Sequence, residues 1–286
     1  MSEHFFYHYD IAYKTSKMNK FHLLEPPKYG WVADPFLVRY DGELYLFAEI
    51  FLYKTERNGV IGYTKFKDNG FGEWTVTMDK HWHLSYPNVF VKDGKLYMCP
   101  EAYQSEEVSL YELIAFPNKW KKVKTYIDNV AYCDSTFLEV DGNLYMFTFE
   151  RGESGSEGLG VLCVVEDGKI KEKKIISTSS EGARPAGNIL VENGKYIRVA
   201  QNCKPSYGYG LIFYEIESLW PEYREHEIKR LSIIDIQPEW KDKYCGVHTY
   251  NKLDDMVVID LKKETFSEEE YEAQQRVRQI FMNKYR

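Results

Sequence analysis

Apolar and polar positions along the chain fall into a pattern that returns. Residues 31–49 read WVADPFLVRYDGELYLFAE: an apolar run, an Asp-Gly turn, and a second apolar run closed by a carboxylate. The arrangement recurs at 83–101 (HLSYPNVFVKDGKLYMCPE), 131–149 (AYCDSTFLEVDGNLYMFTF) and 183–201 (ARPAGNILVENGKYIRVAQ). A shorter version at 246–260, GVHTYNKLDDMVVID, turns on Asp254-Asp255. Asp-Gly or Asn-Gly between apolar strands is a strong hairpin signal, because both central residues of a type I′ turn need positive φ. The turn glycines, Gly42, Gly94, Gly142 and Gly194, are spaced by 52, 48 and 52 residues. Weaker strand pairs follow each hairpin, such as GVIGYTKF with EWTVTM. Four strands in about 50 residues, repeated, describe a propeller blade. The five copies predict an all-β, five-bladed β-propeller over residues 1–262; a β-sandwich would leave the even spacing unexplained. Near-continuous apolar strands such as LYLFAE suit inner strands covered on both faces. Residues 263–286 are expected to form a C-terminal helical tail, with Ser267 as N-cap, acids in the first turn and bases at the end.

In a propeller the innermost strand of each blade lines the axis, and its start opens on one face. Residues eight before the turn glycine then form a ring: Asp34, Tyr86, Asp134 and Ala186. Arg184 lies two positions further up its strand, on the same side by the period of two, and His248 falls nearby in the fifth copy. A hairpin returns its end beside its start, so residues seven after the glycine make a second ring at the same mouth: Glu49, Glu101, Phe149 and Gln201. Acids that converge in this way push their pKa values apart, which suits acid–base and oxocarbenium chemistry on a sugar.

Composition narrows the partners. Aromatic residues make up 16% of the chain, which favours strands and supplies stacking faces. A net charge of −7 without a basic run argues against nucleic acid. No run approaches the ~18 apolar residues of a membrane span, and the first residues lack the pattern of a signal peptide, so a cytoplasmic location is expected. Five cysteines (99, 133, 163, 203 and 245) with no CxxC fit reduced thiols, and no metal site is assigned. HWH at 81–83 places two histidines on one expected strand face; His83 suits stacking or a substrate contact better than a metal that lacks a third ligand.

The motifs WVADPFLV, HLSYPNVF, LYMCPE, CDSTFLEVDGNLYMF, ARPAGN, AQNC with YGYG, and HTYN carry a resemblance spanning residues 31–260. The chain resembles the five-bladed propellers of the arabinanase/β-xylosidase and invertase/levansucrase glycosidases. More closely, it resembles the N-terminal propeller of the glucosamine inositolphosphorylceramide transferases and their bacterial relatives in polysaccharide synthesis. The resemblance implies Asp34 as base or nucleophile and Asp134 as modulator. The glycosidases' blade-four glutamate is missing; ARPAG puts Arg184 there, and Glu181 lies on a polar loop. The ring argument makes Glu101 the better proton donor, with Tyr86, Arg184, Gln201, His248, Glu49 and His83 as substrate contacts. An arginine among carboxylates suits an anionic substrate part. The resemblance implies no certain cofactor and leaves room for a channel ion such as calcium. The expected function is glycosyl transfer from an activated or lipid-linked sugar in surface-glycan assembly. The alternatives are a glycoside hydrolase, and a non-catalytic sugar-binding module that partners a glycosyltransferase.

Overall fold

A computed structural model describes residues 5–53, 59–68, 70–152 and 157–266, with Glu268, Tyr271, Glu272, Gln275, Arg276 and Gln279 of the tail. Five antiparallel sheets are arranged as the blades of a propeller. Blade one runs from the inner strand Gly30–Tyr40 through Glu43–Leu52 to Gly59–Lys67, which pairs with Gly70–Phe71 and Thr75–Met78. Blade two comprises Ser85–Lys92, Lys95–Glu101, Glu107–Ala115 and Lys119–Asp128; blade three comprises Tyr132–Val140, Asn143–Arg151, Gly158–Glu166 and Lys169–Ser177. Blade four splits its inner strand into Glu181–Pro185 and Leu190–Glu192 before Lys195–Asn202, Gly210–Ser218 and Arg224–Leu231.

Blade five is built from both ends of the propeller sequence. Its inner strand Tyr250–Leu253 pairs with Met256–Phe266, which pairs with Phe5–Lys14, which pairs with His22–Leu23. The ladder between the two long strands runs from Phe5↔Phe266 to Lys14↔Val257. The strand therefore continues to Phe266, past the boundary expected at residue 262. The described tail residues beyond it have helical backbone; Ser267, the expected N-cap, lies outside the described residues. Tyr271 rests its ring 5.8 Å from that of Phe6, so the tail meets blade five from outside.

The turns follow the sequence. Asp41-Gly42, Asp93-Gly94, Asp141-Gly142 and Asn193-Gly194 all carry positive φ, between 50° and 77°, as type I′ requires. Each apolar run serves two interfaces. Leu46 packs with Ile11 and Val258 of blade five, and the next residue, Phe47, packs with Val89 and Met98 of blade two. Equivalent clusters join blades two and three, three and four, and four and five. Fully burying one such side chain contributes about 1.5–3 kcal/mol.

A polar belt closes the axis. The Tyr86 hydroxyl lies 2.8 Å from Thr136 Oγ1, donates to the Gly187 carbonyl and accepts from the Gly187 N–H. Asn88 donates to Asn188, whose N–H donates to Asn251, which in turn donates to the Pro35 carbonyl. Gly187 is required here, because a Cβ would sit 2.1 Å from the Tyr250 carbonyl oxygen.

Candidate active site

Above this belt, the inner strands of blades one to three repeat one local distortion. Register shifts fall between Ala33 and Phe36, Ser85 and Asn88, and Cys133 and Thr136. Within them Asp34, Tyr86 and Asp134 sit at φ of 52°, 42° and 53°. Left-handed backbone at a non-glycine residue costs about 1–3 kcal/mol and persists where the surroundings impose it. The bulge gives each of these residues a backbone N–H free of the ladder, and each donates to an acid of a neighbouring blade. Asp34 N–H donates to Asp260 Oδ2 (3.0 Å), Tyr86 N–H to Asp34 Oδ2 (3.1 Å) and Asp134 N–H to Glu101 Oε2 (3.1 Å). The ring position therefore holds the acids in a chain around the axis.

Asp34 is 6% exposed, and its other oxygen accepts from the Thr249 hydroxyl at 2.8 Å. Burial raises its pKa from 3.8 to about 6; Asp260 and Asp134 push the same way, while His248 and the Thr249 bond oppose it. His248 donates from Nδ1 to Asp260 Oδ2 at 2.6 Å and turns Nε2 toward Asp34 Oδ1 at 3.8 Å. Burial lowers the His248 pKa, but Asp260, by charge and hydrogen bond, and Asp34 outweigh it, and the net shift is upward. Tyr9 stacks on the imidazole at 4.4 Å.

Arg184 holds the opposite side. It ion-pairs with Asp134 and reaches Glu101 Oε2 at 3.5 Å, with its guanidinium over the rings of Phe149 (5.3 Å) and Tyr207 (5.1 Å). Glu101 is thus engaged by the Asp134 N–H and by Arg184. Burial, then the charge of Asp134, holds its pKa well above the usual carboxylate range although Arg184 opposes this.

Glu49 differs. It is equally buried, yet its Oε1 has no hydrogen-bond partner among the described residues. His83 Nε2 lies 3.4 Å from this oxygen, too poorly aligned to bond. Burial, then the charges of Asp34 and Glu101, raises the Glu49 pKa well above its ordinary value, whereas burial, then Arg151 and Arg184, lowers that of His83 to about 4. His83 is therefore neutral near pH 7, and the Glu49 carboxyl is shifted toward its protonated form. Gly59 lets these side chains approach closely: a Cβ there would meet Glu49 Oε1 and His83 Cε1, each at 2.7 Å. Beside His83 lie Phe51, stacked on Trp31 at 4.5 Å, and Tyr103, beneath Arg151 at 4.9 Å.

Asp34, Glu49, Glu101, Asp134, Arg184, His83 and His248 therefore converge, although His81 and His83 lie on the connection before Ser85–Lys92 rather than on a strand. Tyr86 is fully enclosed, and its hydroxyl serves the belt. Gln201 is 1% exposed and donates to the Pro185 carbonyl. Glu181 faces Arg230 and Lys204 at the surface, and Glu150 pairs outward with Lys173. Sequence reasoning missed Asp260, Thr249, Tyr9 and Tyr207. Asp260 closes the fifth repeat, and its position at the end of an apolar run was the available signal.

One oxygen or nitrogen each from Asp34, His248 and Asp260 come within 4.8 Å of one another. They do not fit a calcium ion. Both Asp260 oxygens already accept two donors each, from the His248 and Thr249 amides and from the Asp34 amide and His248 Nδ1. Calcium takes six to eight ligands, nearly all oxygen.

The architecture is a five-bladed propeller with buried carboxylates gathered at its axis. A thermostable family-43 glycoside hydrolase superposes with a TM-score of 0.60 at 12% identity, over 88% of this chain and 92% of that one. Bacillus subtilis arabinanase Arb43A gives 0.55 at 13%, over 84% and 95%. At such identity the likeness concerns the fold alone. The model of the family described as "Glucosamine inositolphosphorylceramide transferase 1, N-terminal" matches residues 26–258, and the chain belongs to that family. Glucosamine inositolphosphorylceramide transferase 1 of Arabidopsis thaliana is 32% identical over 234 residues, covering 78% of this chain and 30% of the relative. The Oryza sativa subsp. indica protein is 33% identical over 208 residues, covering 68% and 28%. The chain thus spans less than a third of these relatives.

Proposed function

We propose that this propeller handles an activated or lipid-linked sugar during surface-glycan assembly in the cytoplasm and transfers the glycosyl group at the axial carboxylates. The observation that carries the reading is a pair of buried acids held differently: Asp34 accepts hydrogen bonds through both oxygens, whereas Glu49 Oε1 has no hydrogen-bond partner among the described residues. Asp34, with a pKa of about 6, is largely ionised at neutral pH and serves as base or nucleophile; burial and the charges of Asp34 and Glu101 raise the Glu49 pKa, which favours its protonated form and the role of proton donor. Acids set apart by their surroundings in this way divide the roles of glycosyl chemistry. Asp134, clamped by Arg184, orients the sugar. Glu49 replaces Glu101 as our choice of proton donor, because Glu101 is spent on the Asp134 amide and Arg184. The relatives' names, which specify a transferase acting with glucosamine and inositolphosphorylceramide, support transfer over hydrolysis. Five free cysteines, four of them buried, fit a reducing compartment.

A second reading, a sugar-binding module beside a separate glycosyltransferase, is favoured by one observation: blade four offers Arg184, already neutralised, where glycosidases carry an acid. The discriminating experiment titrates the protein with nucleotide sugars and monosaccharides and follows products by NMR. Transfer that falls at least ~100-fold in Asp34→Asn and in Glu49→Gln, with binding retained, supports catalysis. Binding without turnover by the wild type supports the module, and absence of sugar binding refutes both.

A further inference from the structure

Among the described residues, two long basic side chains are fully buried, and they differ in one respect. Arg198 donates to both Glu225 oxygens and to the Gly182 carbonyl. Lys262, 1% exposed, has no carboxylate within ion-pair distance among the described residues. Its Nζ donates to the Tyr207 carbonyl at 2.5 Å and sits 3.8 Å from the centre of the Tyr7 ring. An ammonium carries three donors, and the remaining ones have no oxygen acceptor among the described residues. Burial lowers the Lys262 pKa, against weaker opposing effects of Cys245, Cys203 and Glu264. A buried cation without a counter-ion is costly unless an anion joins it.

Its position is that of the site. The Gly246↔Lys262 bridge repeats in blade five the pairs Ala33↔Glu49 and Ser85↔Glu101, so Lys262 is the second-ring residue of its blade. Tyr207 links it to the acids: its carbonyl receives Lys262, while its ring lies 5.1 Å from the Arg184 guanidinium and 5.6 Å from the His248 ring. Two glycines press this blade-four loop onto blade five. A Cβ on Gly246 would lie 2.1 Å from the Gly208 carbonyl oxygen, and one on Gly208 3.0 Å from His248 Cβ. Tyr7, which caps the ammonium, is 41% exposed, so it separates Lys262 from solvent.

We infer that Lys262 is the anion subsite of this mouth and takes a phosphate group of the substrate when the Tyr7 ring moves aside. Arg184 is already neutralised by Asp134 and Glu101 and is the poorer choice. The inference rests on the reading of an activated sugar, because a phosphate at Lys262 places the attached sugar toward the acids across Tyr207.

The test uses calorimetry on the whole chain at pH 7 with pyrophosphate, UDP and dihexanoyl phosphatidate as probes, and neutral monosaccharides in parallel. Pyrophosphate should bind the wild type and lose about 10- to 100-fold in Lys262→Met, as for a lost charge-assisted hydrogen bond, with partial recovery in Lys262→Arg. Preference for UDP or for phosphatidate tells a nucleotide from a lipid source. A perturbed Lys262 13Cε signal on pyrophosphate addition to the wild type gives the same answer if the variants fold poorly. Equal binding in Lys262→Met, or no wild-type affinity for any phosphate probe, overturns the inference. Neutral sugars that bind while phosphates do not would leave the sugar reading standing. Phosphates that bind through Lys262 while no sugar binds would do the reverse.

Discussion

Replacing Asp34 by Asn should make the protein more stable at alkaline pH while disabling the site. Asp34 ionises about 2 pKa units later in the folded protein than its ordinary value of 3.8, which at 1.36 kcal/mol per unit is a cost of about 3 kcal/mol. A raised acid pKa means that the native state holds the proton more tightly than the unfolded chain. The cost is therefore absent below about pH 4, grows between pH 4 and 6, and is complete above the folded value of about 6. Asparagine cannot ionise and escapes it. Part of the gain is returned, because an amide nitrogen replaces one of the oxygens that accept from the Thr249 hydroxyl and the Tyr86 amide. The net expectation at pH 8 is a stabilisation of about 1–3 kcal/mol, or roughly 2–6 °C in Tm at about 2 °C per kcal/mol for a domain of this size. Differential scanning calorimetry of both proteins at pH 8, 6 and 4 measures it, and groups that titrate alike in both cancel in the comparison. If Asp34→Asn melts below the wild type at pH 8, or if the difference is the same at pH 4, Asp34 is a structural cap whose charge is fully compensated.

Arg184→Leu removes the cation shared by Asp134 and Glu101 and should cost about 3–5 kcal/mol in urea unfolding, more at pH 8 than at pH 5; a pH-independent loss would point to lost packing on Phe149 and Tyr207 instead. Tyr86→Phe deletes the hydroxyl that joins Thr136 and both polar groups of Gly187. A loss of about 1–3 kcal/mol by chemical denaturation is expected, and a neutral result would mean that water substitutes in the belt. Gly59→Ala forces a methyl group to within 2.7 Å of Glu49 Oε1 and 2.5 Å of the Leu84 carbonyl oxygen. It should lower Tm and weaken sugar binding together, and unchanged binding would place the ligand away from Glu49.

The blades were legible because their punctuation is chemical: Asp and Asn before Gly42, Gly94, Gly142 and Gly194 permit the backbone that a tight hairpin needs. The closing strand Phe5–Lys14 was not legible, since its partner lies at the far end of the sequence and no local pattern records that pairing. Counting from the turns located Asp34, Asp134, Glu49 and Glu101, yet counting cannot distinguish Glu49 from Glu101. Their difference lies in Arg184 and in the close approach of Gly59 to Glu49, contacts made only once the chain has folded. Lys262 was accessible to the same count, seven residues beyond Asp255, but the fifth copy lacks the glycine that invites it. Asparagines 88, 188 and 251 belong to motifs that also carry site residues, and they serve the axial belt.

The joining of the first strand to the last makes assembly of the pocket a late event. Asp34 bonds to Thr249 and Asp260, partners 215 and 226 positions away, and Tyr9 reaches His248 across the same seam. Contacts so distant in sequence form slowly, because loop-closure entropy is lost before they contribute. A nascent chain carrying four blades would therefore have no working mouth. A molecule bound at the acids would act as a clasp on the seam, so occupancy and resistance to opening at blade five should rise and fall together.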